Sequence, residues 1–86
     1  MLVDMTVSRR EDGSAWVTNW GSDEQEFSID LLMALDPRWA TLSDDCNTLT
    51  IHAANGRREY VRTHQVGEVP RRSWHYKATG PVETCQ

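Results

Sequence analysis

This chain contains few of the residues that mark cross-linked, metal-stabilised or membrane-spanning proteins. Its two cysteines, Cys46 and Cys85, are far apart and have no further cysteine beside them, a spacing that suggests neither a disulfide framework nor a structural zinc site. The longest apolar run covers only residues 31–35, which is too short for a secretory signal or a membrane span. We therefore expect free thiols in a cytoplasmic protein that does not enter a membrane.

Motifs for catalysis are also missing. None of the serines stands in a G-x-S-x-G setting, and the five glycines are isolated, so the chain has no phosphate-binding glycine loop. His52, His64 and His75 show none of the close spacings that bring zinc ligands together. These absences predict no catalytic residues, no metal and no cofactor, and we expect that the protein is not an enzyme.

What the chain does have is a charge split between its two halves. Residues 1–46 contain ten acidic and three basic residues, a net charge of −7, whereas residues 47–86 contain three acidic and six basic residues, a net charge of +3. All three histidines lie in the second half. Such an asymmetry predicts two electrostatic faces if the halves fold onto different surfaces.

Length and composition predict one small domain. A chain of 86 residues cannot bury enough surface for two cores, so the four tryptophans should supply a large share of the core area. We expect the domain to cover residues 1–80, and a flexible tail to follow Gly80-Pro81 over residues 81–86.

The first hairpin is predicted from Asp12-Gly13. This dipeptide follows an alternating segment at residues 2–9 and precedes β-prone residues 15–20, which is typical of a hairpin turn. A two-residue turn would set Arg9 opposite Trp16, whereas a three-residue loop would set Arg9 opposite Ala15. The sequence leaves both registers open, and they place the side chains on opposite faces.

Asn55-Gly56 predicts a second hairpin, between an alternating strand at residues 48–53 and a return strand at residues 58–66. If the turn has two residues, Tyr60 faces Ile51 and belongs to the core, with the stems of neighbouring arginines packed around it. If the loop has three residues, Leu49 faces Val61, and Tyr60 lies on the outer face with those arginines.

One helix is predicted between residues 21 and 40. Phe27 and later leucines recur at every fourth position. Phe27 and its neighbours also alternate like a strand, however, and we favour a helix that starts after Ser28 or Asp30 as its cap. Pro37 should end the helix, with Asp36 as its boundary. Asp36 could also cap a second short turn that leads the chain back to the core.

Together these elements predict a single α+β domain with a mainly antiparallel sheet. Two hairpins and a last strand at residues 72–77 form the sheet, and the short helix packs on one side of it. The last strand could also act as an edge strand that pairs across a two-fold axis, which would give a homodimer.

Seven acidic residues around the helix form the first candidate site. Acids favour helix starts and solvated loops, but a cluster of this size also suits docking on a basic surface of a partner protein. The residues are Asp23, Glu24, Glu26, Asp30, Asp36, Asp44 and Asp45. In size and charge alone, the chain resembles the small inhibitors that phages and other mobile elements direct at host proteins, anti-CRISPR proteins among them. This resemblance implies a protein-binding module whose partner is a host nucleic-acid-handling protein or nucleoprotein complex.

The basic half supports an alternative hypothesis, the binding of single-stranded DNA or RNA. Guanidinium groups that meet phosphates and rings that stack on bases are the ingredients of such a platform. The residues are Arg57, Arg58, Tyr60, Arg62, Arg71, Arg72 and Trp74. A net charge of −4 weighs against general nucleic-acid affinity, because phosphate contacts supply most of that affinity. The protein-binding hypothesis therefore comes first.

Overall fold

The computed structural model of the protein describes residues 4–66 and 73–84, and within residues 64–66 it describes the backbone. Two antiparallel sheets and one short helix make up this part of the chain. The elements are β1 (Thr6–Arg9), β2 (Ala15–Asn19), β3 (Glu24–Ser28), α1 (Ile29–Met33), β4 (Ala40–Leu42), β5 (Thr48–Ala53), β6 (Gly56–Val66) and β7 (Ser73–Ala78). The mainly antiparallel α+β class is confirmed.

The strands divide into two sheets, where the sequence predicted one. β1 and β2 pair with each other, and the second sheet has five strands in the order β3-β7-β6-β5-β4. This second sheet has as many strands as the predicted one, but β3 and β4 form its two edges in place of the first hairpin. The first hairpin packs over the five-stranded sheet and does not extend it.

The segment between residues 21 and 40 begins as a strand and becomes helical late, as we favoured from the sequence. The hydroxyl oxygen of Ser28, at the end of β3, accepts a hydrogen bond from the backbone N–H of Leu31 at 3.1 Å and caps α1. The helix ends at Met33, earlier than the boundary expected at Asp36. Asp36 instead caps a separate turn, because its carboxylate accepts the backbone N–H two residues further on at 2.9 Å.

The first hairpin has the three-residue loop. Arg9 pairs with Ala15, and the N–H of Gly13 donates to the carbonyl of Arg10 at 3.0 Å. Gly13 has a φ of 89°, which costs glycine little because it has no Cβ. This positive φ fits the bulged residue that ends a three-residue loop.

The second hairpin follows neither predicted register. Its two-residue turn is Ala54-Asn55, so Gly56 is the first residue of β6, and Tyr60 pairs with Leu49. The predicted two-residue turn would pair Tyr60 with Ile51, so the observed register is shifted from it by two residues. A slip of two residues keeps every side chain on its face. Tyr60 is therefore fully buried, in the place that the two-residue alternative gave it and not on the outer face.

The side chain of Asn55 joins the two sheets. Its Oδ1 accepts the N–H of Val17 at 3.0 Å, and its Nδ2 donates to the carbonyl of the same residue at 2.8 Å. Beside it, the N–H of Ala54 donates to the carbonyl of Ala15 at 2.7 Å. The amide of Asn55 thus satisfies one donor and one acceptor of β2, as the backbone of a third strand would do.

Gly56 is required by close packing and not by the turn. The described glycines with positive φ are Gly13 and Gly21, so Gly56 does not use the conformation that an Asn-Gly turn was expected to need. A Cβ on Gly56 would lie 2.9 Å from Cγ1 of Val82 and 3.2 Å from Cζ2 of Trp20. The absence of a side chain lets these two residues approach the start of β6.

The position of β7 overturns the predicted route to a homodimer. β7 lies between β3 and β6, so its backbone is paired on both sides and cannot add a strand across a two-fold axis. Beyond it, Glu83 exchanges two backbone hydrogen bonds with Arg57, at 2.8 and 2.9 Å. The domain end at residue 80 and the flexibility of residues 81–86 stay predictions, and Cys85 lies outside the described residues.

The core lies between the first hairpin and one face of the five-stranded sheet. At its centre Phe27 meets Tyr60 and Tyr76 edge to face, with ring centroids 6.3 and 5.7 Å apart. The hydroxyl of Tyr76 donates to the carbonyl of Cys46 at 2.6 Å. The buried cluster consists of Val17, Phe27, Leu32, Ala40, Leu49, Ile51, Ala53, Tyr60 and Tyr76.

The tryptophans surround this core and do not fill it. Trp20, Trp39 and Trp74 are partly buried and pack against the cluster. Trp16 is 43% exposed, with the Arg10 guanidinium 5.3 Å from its ring centroid. The central rings are those of phenylalanine and tyrosine, so the expectation that the four tryptophans supply a large share of the core is only partly met.

Replacing Asn55 should loosen the attachment of the first hairpin. Asn55→Ala should lower the free energy of unfolding by about 2 kcal/mol, because it removes two hydrogen bonds worth about 1 kcal/mol each. Asn55→Asp should cost at least as much, because a carboxylate cannot donate to the carbonyl of Val17. Urea unfolding measures both, with the exposed Thr18→Ala as a control that stays within about 0.5 kcal/mol of the wild type. Equal stability of Asn55→Ala and Thr18→Ala would contradict the proposed role.

Candidate functional site

The predicted acidic residues fall on opposite edges of the five-stranded sheet. Asp23 precedes β3, the outermost described strand on one side, and Glu24 and Glu26 lie on it. Asp44 and Asp45 lie between β4 and β5, at the other edge. Four strand spacings of about 4.8 Å put about 19 Å between the edges. The structure therefore does not bring the seven residues together in one patch.

Asp23 belongs to a structural ion pair. Its Oδ1 lies 2.6 Å from Nη2 of Arg58, whose side chain is only 7% exposed. Nε of Arg58 also donates to the carbonyl of Gly80 at 3.1 Å. A buried guanidinium needs such partners, because an unpaired buried charge is strongly destabilising.

Local turns engage two more of the acids. Asp36 accepts hydrogen bonds from Nε and Nη2 of Arg38 at 3.1 and 2.7 Å, and these bonds lower the pKa of Asp36 to about 2. Asp45 accepts the hydroxyl of Ser43 at 2.6 Å and the backbone N–H of Asn47 at 3.0 Å. These hydrogen bonds lower the pKa of Asp45 below its ordinary value. Both carboxylates thus have turn-stabilising roles.

Glu24, Glu26 and Asp30 form a third group, which we call the acidic edge. The two glutamates alternate with buried residues along β3 and project on the sheet face away from the core. Asp30 is exposed in the first turn of α1. Because the three lie within a short stretch of chain, their backbones are within about 20 Å of one another. The carboxylate of Glu24 is 3.5 Å from Nε2 of His75.

The structure separates the residues of the predicted nucleic-acid platform. Arg58 and Tyr60 are buried on the core face. Arg57 lies on the opposite face of β6, with its Nη1 3.9 Å from a carboxylate oxygen of Glu83. Because the ring of Tyr60 is fully buried, it cannot stack on a base.

Arg62 and Trp74, from the same set, contact each other. The guanidinium carbon of Arg62 lies 4.7 Å from the ring centroid of Trp74, which is within cation–π range. Both side chains are half-buried, and the contact covers one face of the indole. The remaining members, Arg71 and Arg72, lie outside the described residues.

An apolar cavity beneath the first hairpin was missed from the sequence. Its volume is about 340 Å³, within the range of small-molecule sites, roughly 300–1,000 Å³. Its apolar walls include Met5, Val7, Phe27, Leu31, Leu35 and Ile51. The four-residue spacing of the two leucines was the only signal in the sequence. It predicted an apolar helix face, but α1 is too short to fill the space that this face borders.

One charged residue lines the cavity among those described, and it is Arg9. Its Nη2 lies 3.7 Å from Oδ2 of Asp36, which is too long for a hydrogen bond. Nη2 of Arg38 lies 2.7 Å from the same oxygen. Arg9, which lines the cavity, therefore lies near a carboxylate that Arg38 already engages. Trp39 also lines the cavity, and its buried indole N–H has no acceptor within residues 4–66 and 73–84.

Residues 4–66 and 73–84 show neither a metal-binding cluster nor a membrane-spanning helix. No three His, Cys, Asp or Glu side chains in these ranges come together in a way that could hold a metal ion. No helix there has the length and apolar content needed to cross a membrane. Comparisons with protein-family models, curated proteins and solved structures find no match to the chain. The acidic edge and the cavity are thus the candidate sites within the described residues.

The carboxyl group of Asp36 should titrate near pH 2 in a carbon-detected NMR titration. Its pKa in the folded state lies below the ordinary value of about 3.9, so Asp36 stabilises the fold above about pH 4 and this contribution is lost as the pH falls towards 2. Arg38→Gln should raise the pKa of Asp36 towards the ordinary value, whereas Arg10→Gln should not. If the pKa of Asp36 does not change in Arg38→Gln, a group other than Arg38 must lower it.

Asp23→Asn should destabilise the protein although Asp23 is exposed. The substitution removes the charged partner of the buried Arg58 guanidinium and should cost about 1–2 kcal/mol in free energy of unfolding. Asp44→Asn makes the same chemical change at the opposite edge and should stay within about 0.5 kcal/mol of the wild type. Thermal or urea unfolding compares the two, and equal values would mean that Arg58 does not depend on Asp23.

Proposed function

We propose that this chain is a non-enzymatic protein-binding module whose acidic edge docks on a basic surface of a partner protein. The observation that supports this most is the position of Glu24, Glu26 and Asp30, on the outermost described strand of the main sheet and the helical turn that follows it. Carboxylates in this position can approach a partner without any rearrangement of the core. The site thus needs only three of the seven acids predicted from the sequence.

Complementary charge would act mainly on the encounter between the two proteins. An acidic strip attracts a basic surface over a distance of about 10 Å at moderate salt and speeds association more than it strengthens the final complex. Surfaces rich in lysine and arginine are typical of proteins that hold nucleic acids. The partner we propose is therefore a nucleic-acid-handling protein or nucleoprotein complex. An inhibitor from a phage or another mobile element, such as an anti-CRISPR protein, would have a small acidic domain of this kind.

Single-stranded nucleic-acid binding has less support from the geometry. A binding platform needs arginines and exposed rings on one face, whereas Tyr60 and Arg58 are buried and Arg57 lies on the other face of β6. The Arg62–Trp74 contact is half-buried. The described part of the chain therefore offers no continuous stripe of the kind that the alternative requires.

The acidic edge is tested by a triple substitution, Glu24→Gln, Glu26→Gln and Asp30→Asn. Asp23 is left intact, because its loss would disturb the buried Arg58. Partners captured from a bacterial lysate by the tagged wild type are identified and quantified by mass spectrometry at ~50 and ~500 mM salt. The triple variant should recover at least about tenfold less of the partner at low salt, and high salt should have the same effect on the wild type.

A matched control changes three exposed acids elsewhere, Glu11→Gln, Asp44→Asn and Glu83→Gln. Both variants lose the same amount of negative charge, so the comparison separates the acidic edge from net charge. The control should recover nearly as much partner as the wild type. If the two variants recover the same amount, docking through the acidic edge is wrong.

A further inference from the structure

The cavity beneath the first hairpin has the size and the lining of a ligand site. It is a half-open space of about 340 Å³, which is large for a domain of this length. Its walls come from β1, α1, β3 and β5, including Val7, Leu31, Phe27 and Ile51. Leu31 is 43% exposed and borders the space. An apolar ligand body would bury these walls from water.

Arg9 brings a guanidinium with unused donors to the cavity. Asp36 is already held by Arg38 through three side-chain hydrogen bonds of 2.7–3.1 Å. Arg9 stands 3.7 Å from Asp36 and is 58% exposed, so its guanidinium retains its donors. Glu11 and Asp12 line an adjoining pocket with Arg9, so the site depends on the donors of this guanidinium and not on an excess of positive charge. A carboxylate would complement the guanidinium, because its two oxygens match the fork of donors.

The indole ring of Trp39 lines the cavity. Its N–H is buried and has no acceptor among the described residues, although buried polar groups are normally hydrogen-bonded. Because the nitrogen is closed off from the open space, Trp39 contributes apolar surface to the site. The rest of the lining is apolar, so a sugar or a nucleotide would leave many of its polar groups without partners.

From these observations we infer a binding site for a small carboxylic acid with an apolar body, of the size of a medium-chain fatty acid. The alkyl or aromatic part fills the space between the first hairpin and the main sheet. The carboxylate lies at the mouth against Arg9. This inference does not rest on the acidic edge, which is on different residues.

The test uses decanoate, with 1-decanol as an uncharged probe of similar length. Each is titrated into the full-length protein, uniformly labelled with ¹⁵N, and binding is followed by NMR at the indole N–H of Trp39. The exposed indole of Trp16 is the internal reference. Decanoate should shift the Trp39 signal with a dissociation constant below about 1 mM, and the Trp16 signal should stay in place.

Two matched variants then test the charge. Arg9→Gln should weaken decanoate about fivefold or more while leaving 1-decanol unchanged. Arg10→Gln removes the same charge from the next residue, whose guanidinium lies against Trp16, and should change neither affinity. The acidic-edge triple variant should bind decanoate as the wild type does. A negative result for the ligand site would therefore leave the proposed docking surface untouched, and the reverse also holds.

Three results would overturn the inference. The first is an unmoved Trp39 signal at ~5 mM decanoate, a concentration well above the expected dissociation constant. The second is an equal effect of Arg9→Gln on decanoate and 1-decanol, which would mean that the carboxylate does not contact Arg9. The third is a loss of decanoate binding in Arg10→Gln as large as that in Arg9→Gln. If decanoate does not move the Trp39 signal, the cavity would instead be available to an apolar side chain of a partner protein.

Discussion

Two hydrogen bonds between the amide of Asn55 and the backbone of Val17 set the position of the first hairpin over the main sheet. A two-stranded hairpin is at best marginally stable alone in water, so β1 and β2 depend on this attachment and on the burial of Val17. β1 in turn provides walls of the cavity and carries Arg9 to its mouth. The candidate ligand site therefore depends on a polar side chain in a turn as well as on the packing of the hairpin.

The sequence was enough to predict which segments form strands, turns and a helix, but it was not enough to predict which strands pair. Alternation around Phe27 and the cap at Ser28 predicted a strand followed by a late helix, because these signals are local. The dipeptide Asn55-Gly56 was interpreted as a turn with positive φ, yet the asparagine binds β2 and the glycine makes room for Trp20. Both roles depend on residues far away in the chain. No local pattern could have shown them.

The same limit applies to the charges. Composition predicted an acidic and a basic half, but it could not show that Asp23 belongs to the buried Arg58 or that Asp36 lies between Arg38 and Arg9. These pairs engage acids that the sequence assigned to a docking surface. The charged groups still available for binding are the acidic edge at one side of the sheet and the guanidinium of Arg9 at the cavity mouth. They would attract ligands of opposite charge.

The rate at which Asn55 deamidates should also depend on whether the protein is folded, because Gly56 follows it. Deamidation of asparagine requires the backbone nitrogen of the next residue to attack the side-chain carbonyl carbon, and a following glycine does not obstruct this attack. In the folded protein both ends of the amide are held by Val17, which keeps the side chain from turning back on Gly56. Each unfolding event releases it. The attack expels ammonia and closes a cyclic imide, which water then opens to aspartate or isoaspartate. The rate of deamidation would therefore report how often the first hairpin detaches, and either product would make the next detachment easier.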